Sequence, residues 1–201
     1  MTQTVSGTSS ELAPFVMQYQ MDEHTELAAL IDVANTTRQW EHSQVGINSK
    51  HGMTEREETE RQSARSSSQV SLATLNFSQQ QIDALPALTF AGECLFDYLL
   101  AFPEASLGYP EFVVREAPEI LRYEIGEAYA QPHADSHPHA FPNRHLTFCL
   151  YLNTVEKGGE LCFVRQGVEV KPVKGTAVIF PSGWTHSHYT KPTESTRYVF
   201  Q

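Results

Sequence analysis

The chain has only three cysteines in 201 residues, Cys94, Cys149 and Cys162. An odd, widely spaced set offers neither a disulfide framework nor paired zinc ligands, so buried thiols are the expected state. Basic residues are scarce too: 14 Lys and Arg stand against 24 Asp and Glu, a net charge of −10. Phosphate affinity rests on clustered cations, so nucleic acid is not an expected partner. Arg56, Arg61 and Arg65 lie close together, but Glu55, Glu57, Glu58 and Glu60 are interleaved with them, and a mixed-charge segment makes a poor phosphate track. No run approaches the roughly 20 apolar residues that cross a bilayer. Met1 to Ser10 is polar and lacks the basic start and apolar centre of a secretory signal. These absences point to a cytoplasmic protein. Neither a heptad pattern nor an internal repeat is visible.

What is present suits one globular domain over residues 1–201, with 40% hydrophobic residues and enough length for a core. Residues 1–12 are expected to be disordered. From Asp22 to Trp40, Leu27, Leu30, Ile31, Val33 and Ala34 recur at helical spacing, and a second helix is expected from Leu88 to Phe102, ending before Pro103. The polar, serine-rich stretch 49–68 reads as a flexible insertion and a candidate lid. Gln69 to Leu75 reads as a short strand. Beyond Gly108 short strands alternate with Gly, Pro and Asn turns. The order is that of an α+β protein.

The chemistry concentrates in the last third. His133 and Asp135 stand two apart, and alternate side chains of an extended segment point the same way. His188 follows Asp135 after 53 residues. The run Gly175-Thr176-Ala177-Val178-Ile179-Phe180-Pro181 reads as a buried strand leading toward His186 and His188, which compete for one distal position. Two imidazoles and a carboxylate can hold a metal on one face and leave the other face open, the ligand set of mononuclear iron(II) oxygenases. An isolated His-x-Asp is more often a surface hydrogen-bonded pair, so the pattern depends on its context. His137, His139 and His145 suggest a second metal site, but Pro138 and Pro142 favour a loop at the mouth of the first.

The context is a set of motifs in one order. Tyr123-Glu124-Ile125-Gly126-Glu127-Ala128-Tyr129 precedes His133 and Asp135; Arg144, Thr147 and Tyr151-Leu152-Asn153 follow. Next come Gly158-Gly159-Glu160-Leu161, the turn Val170-Lys171-Pro172-Val173-Lys174-Gly175, and His188, Pro192, Arg197 and Tyr198. Over about residues 120–200 this resembles the prolyl 4-hydroxylase-like 2-oxoglutarate- and Fe(II)-dependent dioxygenases.

The resemblance implies a double-stranded β-helix, or jelly roll, buttressed by the N-terminal helices. It selects His188 over His186 by the steps to Pro192 and Arg197, making His133, Asp135 and His188 the catalytic metal ligands and leaving His186 beside the site. It assigns Arg197 to the far carboxylate of 2-oxoglutarate, with Tyr151, Tyr123 and Thr147 as further cosubstrate residues; ordinary core packing is the competing reading of the tyrosines. The cofactors implied are Fe(II), 2-oxoglutarate and O2, with ascorbate admissible as reductant. The reaction implied is hydroxylation of an unactivated C–H bond coupled to decarboxylation of 2-oxoglutarate to succinate and CO2. A proline in a peptide or protein leads as substrate, with a free amino acid or other small molecule as the alternative. An aspartate at position 135 argues against the related halogenases, where a small residue stands in its place. A cupin-like metal protein without 2-oxoglutarate chemistry would bring more histidines to the metal and would need no Arg197.

Overall fold

In the computed structural model, which describes residues 6–22, 27–36, 39–43, 65–75, 85–107, 117–136 and 141–201, the run Ala177 to Phe180 forms the middle of strand β9 (Thr176–Pro181). Ala177 and Ile179 belong to one hydrophobic cluster, Val178 and Phe180 to another. Successive side chains of a strand point to opposite faces, so an unbroken apolar run marks a strand covered on both sides.

Among the described residues the larger sheet has eight strands. In chain order they are β1 (Gly7–Ala13), β2 (Val16–Met21), β3 (Glu41–His42), β4 (Ser68–Ser71), β5 (Glu119–Tyr123), β6 (Leu146–Tyr151), β9 and β11 (Arg197–Phe200), arranged β1-β2-β9-β6-β11-β5-β4-β3. The smaller sheet, β10-β7-β8, is made of β7 (Leu161–Phe163), β8 (Glu169–Val170) and β10 (His188–Thr190). Every strand pairing within these sheets is antiparallel.

One cluster joins the outer face of the larger sheet to two helices. Helix α1 (Leu27–Thr36) buries Leu27, Leu30 and Ala34, and α2 (Pro86–Ala101) buries Ala87, Phe90, Cys94 and Tyr98. Their spacing of three and four residues is the apolar stripe of an amphipathic helix. Ile120, Leu150 and Phe200 of the sheet meet them. The second cluster draws Leu121, Tyr123, Tyr151 and Val199 from the larger sheet and Leu161, Phe163 and Val170 from the smaller. It is therefore the interior between the two sheets, and the chemistry-bearing side chains face it.

Several expectations need correction. Disorder was expected over residues 1–12, yet Gly7 to Ala13 pair in register with β2 as an edge strand; backbone hydrogen bonds need no apolar side chains. The first helix is shorter than Asp22 to Trp40, with Asp22 and Trp40 outside it. The strand expected at Gln69–Leu75 runs from Ser68 to Ser71 and then turns into a 3-10 helix, Leu72–Leu75. The insertion at 49–68 lies mostly outside the described residues; its end does not, for Arg65 bridges Tyr129 and Ser68 opens β4. No helix among the described residues is long and apolar enough to cross a membrane.

Candidate metal centre

The two histidines 55 positions apart in sequence number, His133 and His188, meet as an antiparallel bridge. Each donates its backbone N–H to the other's carbonyl at 2.9 Å. This reciprocal pairing fixes both Cα atoms at the separation of a hydrogen-bonded strand pair and places the imidazoles side by side, with ring centroids 4.4 Å apart. Asp135 completes the group: its Oδ1 lies 3.7 Å from Nε2 of His133 and its Oδ2 3.6 Å from Nε2 of His188. One potential ligand atom from each of the three lies within 4.8 Å of the others.

The imidazoles are presented with the correct nitrogen inward. Nδ1 of His133 donates to the Gln131 carbonyl and Nδ1 of His188 to the His186 carbonyl, both at 3.0 Å. A carbonyl only accepts, so Nδ1 carries the proton and the Nε2 lone pair faces the centre. Burial, followed by the neighbouring His188 imidazole, brings the pKa of His133 down to about 4, so its ring is neutral at physiological pH. Burial would raise that of Asp135, but His188, His133, the Thr147 hydroxyl and Arg144 outweigh it and hold the carboxyl below its ordinary range. The neutral imidazole of His133, the Nε2 of His188 and the ionised carboxylate of Asp135 thus face one another as candidate donors for a cation.

The surrounding shell is aromatic on one side and hydroxylic on the other. Tyr129 stacks on His133 with centroids 3.4 Å apart and planes at 11°, while Phe180 and Phe163 pack on His188 at 4.8 and 5.8 Å. Thr147 donates to Asp135 Oδ2 at 2.7 Å and lies 2.8 Å from the Ser182 hydroxyl. Its hydroxyl is therefore directed at the aspartate, where the resemblance had grouped it with the cosubstrate residues. His186 turns away from the centre. Its Nε2 donates to the Pro14 carbonyl at 3.1 Å, and its Nδ1 lies 3.0 Å from the Thr185 hydroxyl, so both nitrogens are engaged. His145 donates Nε2 to the Ala105 carbonyl at 2.9 Å; His137 and His139 lie outside the described residues.

Arg197 is only 1% exposed. It stands opposite Tyr123 in the β11–β5 register, and its guanidinium carbon sits 4.1 Å from the centroid of that ring, a cation–π contact strengthened by desolvation. Nη1 donates to the Gly159 carbonyl and Nη2 to the Thr190 hydroxyl at 3.3 Å, whereas the buried Nε has no partner. No carboxylate among the described residues pairs with it. Tyr151 is buried on the same inner layer, and burial raises its phenol pKa although Arg197 works against that rise.

The double glycine is explained by this arginine. Gly158 and Gly159 have φ of +76° and +73°, the left-handed region that glycine enters without strain. A Cβ on Gly158 would lie 2.1 Å from the Pro192 carbonyl oxygen, and one on Gly159 3.2 Å from Cδ of Arg197. The turn passes under the chain at Pro192 and offers its carbonyl to the guanidinium. Asn153 braces the other side, accepting from the Tyr198 N–H and donating to the Thr196 carbonyl, both at 2.8 Å, so it holds the backbone on either flank of Arg197. Sequence reasoning quoted Tyr129, Asn153 and the glycine pair as pattern elements without their roles; it had no signal for Ser182 or Thr190, whose contacts are purely spatial.

Comparison with known proteins follows the same division of the chain. Residues 118–201 match the family model of the 2OG-Fe(II) oxygenase superfamily. No curated protein gives a significant match. Among solved structures, a prolyl hydroxylase from Trichoplax adhaerens, in complex with a hypoxia inducible factor oxygen degradation domain peptide fragment, is similar at a TM-score of 0.62 and 18% identity, covering 92% of this chain and 81% of its own. The viral collagen prolyl hydroxylase of Paramecium Bursaria Chlorella virus-1 is similar at 0.59 and 15% identity, covering 94% and 96%. At such identities these structures establish a shared fold. Over residues 118–201, fewer than half of its length, the chain is thus similar to the 2OG-Fe(II) oxygenase superfamily, a family that works with Fe(II), 2-oxoglutarate and O2.

Proposed function

We propose that this oxygenase hydroxylates a proline in a peptide or protein, with His133, Asp135 and His188 as the iron ligands and Arg197 as the cosubstrate anchor. The observation that carries the metal assignment is the convergence of two Nε2 lone pairs and one ionised carboxylate within 4.8 Å. Two imidazoles and a carboxylate are a donor set that suits ferrous ion, and these three residues would hold it. When bound, Fe(II) would supply the activation of O2 that couples decarboxylation of 2-oxoglutarate to C–H hydroxylation.

The chain's own residues bind, orient and exclude water. Thr147 orients Asp135, and the carbonyls of Gln131 and His186 orient the imidazoles. Arg197, a buried cation with an unpartnered Nε, offers paired N–H donors to the far carboxylate of 2-oxoglutarate. The phenol of Tyr151 shares the interior layer from which a second donor would come. Tyr123 supports the guanidinium from below. The jelly-roll form brings these distant donors together between two sheets.

A peptide substrate is supported by fold similarity to a prolyl hydroxylase seen with a peptide and to a collagen prolyl hydroxylase. A cytoplasmic setting accords with Cys94, Cys149 and Cys162 remaining free. The decisive test incubates the protein with Fe(II), 2-oxoglutarate and, separately, proline-containing peptides, free amino acids and nucleosides. Mass spectrometry is expected to show one added oxygen on a peptide proline with one succinate per event. Oxygen gain on a free amino acid alone would move the assignment to a small-molecule hydroxylase, and metal binding without succinate under any substrate would remove the oxygenase reading.

The Thr147 assignment has its own test. Thr147→Val keeps the shape but leaves Asp135 Oδ2 without its 2.7 Å donor. Partners of a metal ligand typically contribute 10–100-fold to affinity, so Fe(II) titration should show a loss of about that size with the KM for 2-oxoglutarate little changed. A selective rise in that KM would return Thr147 to the cosubstrate.

A further inference from the structure

His188 and Thr190 occupy alternate positions of β10 and project from one face of it. His188 reaches the metal centre; Thr190 reaches Arg197. The Thr190 hydroxyl accepts two N–H groups, the backbone of Tyr129 at 2.9 Å and Nη2 of Arg197 at 3.3 Å. A threonine hydroxyl has two lone pairs and one proton. Both lone pairs are spent, and the O–H donates to no group among the described residues. Arg197 likewise spends two of its five N–H groups on the protein, at Gly159 and Thr190. Unspent donors thus remain on two side chains that touch each other, and no carboxylate among the described residues pairs with the buried guanidinium.

We propose that Thr190 is a further cosubstrate-binding residue, whose O–H donates to the same carboxylate that Arg197 receives. This rests on the assignment of Arg197 made above. The two accepted N–H groups restrict the O–H to the remaining direction, and one of them is cationic, so the hydroxyl is polarised as a donor. An anion is the acceptor that gains most from it. The backbone bond from Tyr129 also fixes the hydroxyl to the segment that carries His133, four residues on, so the anchor for the far carboxylate is held in register with the metal ligands.

The test uses Fe(II)-loaded protein without oxygen and measures, by calorimetry, binding of 2-oxoglutarate and of 2-oxovalerate, which keeps the chelating keto-acid end but lacks the far carboxylate. Thr190→Val is expected to weaken 2-oxoglutarate binding about tenfold, the scale of one hydrogen bond to a charged group, and to leave 2-oxovalerate unchanged. Thr190→Ser restores the hydroxyl and is expected to restore affinity. Undiminished 2-oxoglutarate affinity in Thr190→Val, or an equal loss for both acids, would overturn the proposal, the second outcome marking a purely structural role. If Thr190→Val does not fold, Thr190→Ala carries the same expectations. Should the unsubstituted protein bind 2-oxoglutarate no better than 2-oxovalerate, it is the Arg197 assignment that fails, and Thr190 with it.

Discussion

Replacing Asp135 with alanine is expected to abolish turnover and to reduce Fe(II) affinity by more than the roughly 100-fold that losing a partner outside the ligand set can cost. The carboxylate is the one anionic donor of the group, 3.7 and 3.6 Å from the two Nε2 atoms. Without it a ferrous ion meets two neutral imidazoles and no compensating charge. The fold should survive, because the contacts that place this segment are to its main chain. Arg144 donates to the Asp135 carbonyl at 3.3 Å, Ser136 donates its N–H to the Ser182 carbonyl at 2.9 Å, and the His133–His188 bridge is reciprocal. Iron content, succinate formation and the thermal melt of the variant check all three statements. Full activity in Asp135→Ala would refute the ligand set.

The second large effect falls on cosubstrate use. Arg197→Ala is expected to raise the KM for 2-oxoglutarate on the order of a hundredfold or more, since at least two hydrogen bonds to a charged group are lost. Fe(II) affinity should hold, because no ligand atom is removed. Some loss of thermal stability will accompany it, as the side chain is 1% exposed and fills space between Tyr123 and Gly159. Arg197→Lys separates the two roles. It keeps the charge but cannot reach the Gly159 carbonyl and the Thr190 hydroxyl while meeting two carboxylate oxygens, so its KM should fall between those of the other two proteins. A fall in kcat at saturating 2-oxoglutarate with KM unchanged would exclude the anchor role.

The regular parts of the fold were legible where side-chain periodicity and burial coincide. Phe90, Cys94 and Tyr98 announce α2, and the unbroken apolar run of β9 announces a strand covered on both faces. β1 was not legible. Its sequence, Gly-Thr-Ser-Ser-Glu-Leu-Ala, offers little apolar alternation, and what holds it is the backbone ladder to β2. The three prospective ligands were legible because a two-residue step and a distant histidine form a pattern. The choice of His188 over His186 was not a matter of local chemistry, since both are histidines two apart; it needed the spacing to Pro192 and Arg197. Structure explains the difference through the two hydrogen bonds that occupy both nitrogens of His186. Thr147 was grouped with the cosubstrate residues and its hydroxyl meets Asp135, a contact the sequence did not show because strand parity tells which way a side chain points and not which group it meets across the sheet. Contacts such as Gly159 to Arg197 and Thr190 to Arg197 arise between strands that no local rule joins.

X-ray absorption on the Fe(II)-loaded protein measures the composition of the metal centre most directly. One iron per chain with two imidazole ligands and carboxylate or water oxygens filling the rest is the expected result, together with loss of one imidazole in His188→Ala and of none in His186→Ala. Three or more imidazoles on the ion, or an unchanged imidazole count in His188→Ala, would contradict it.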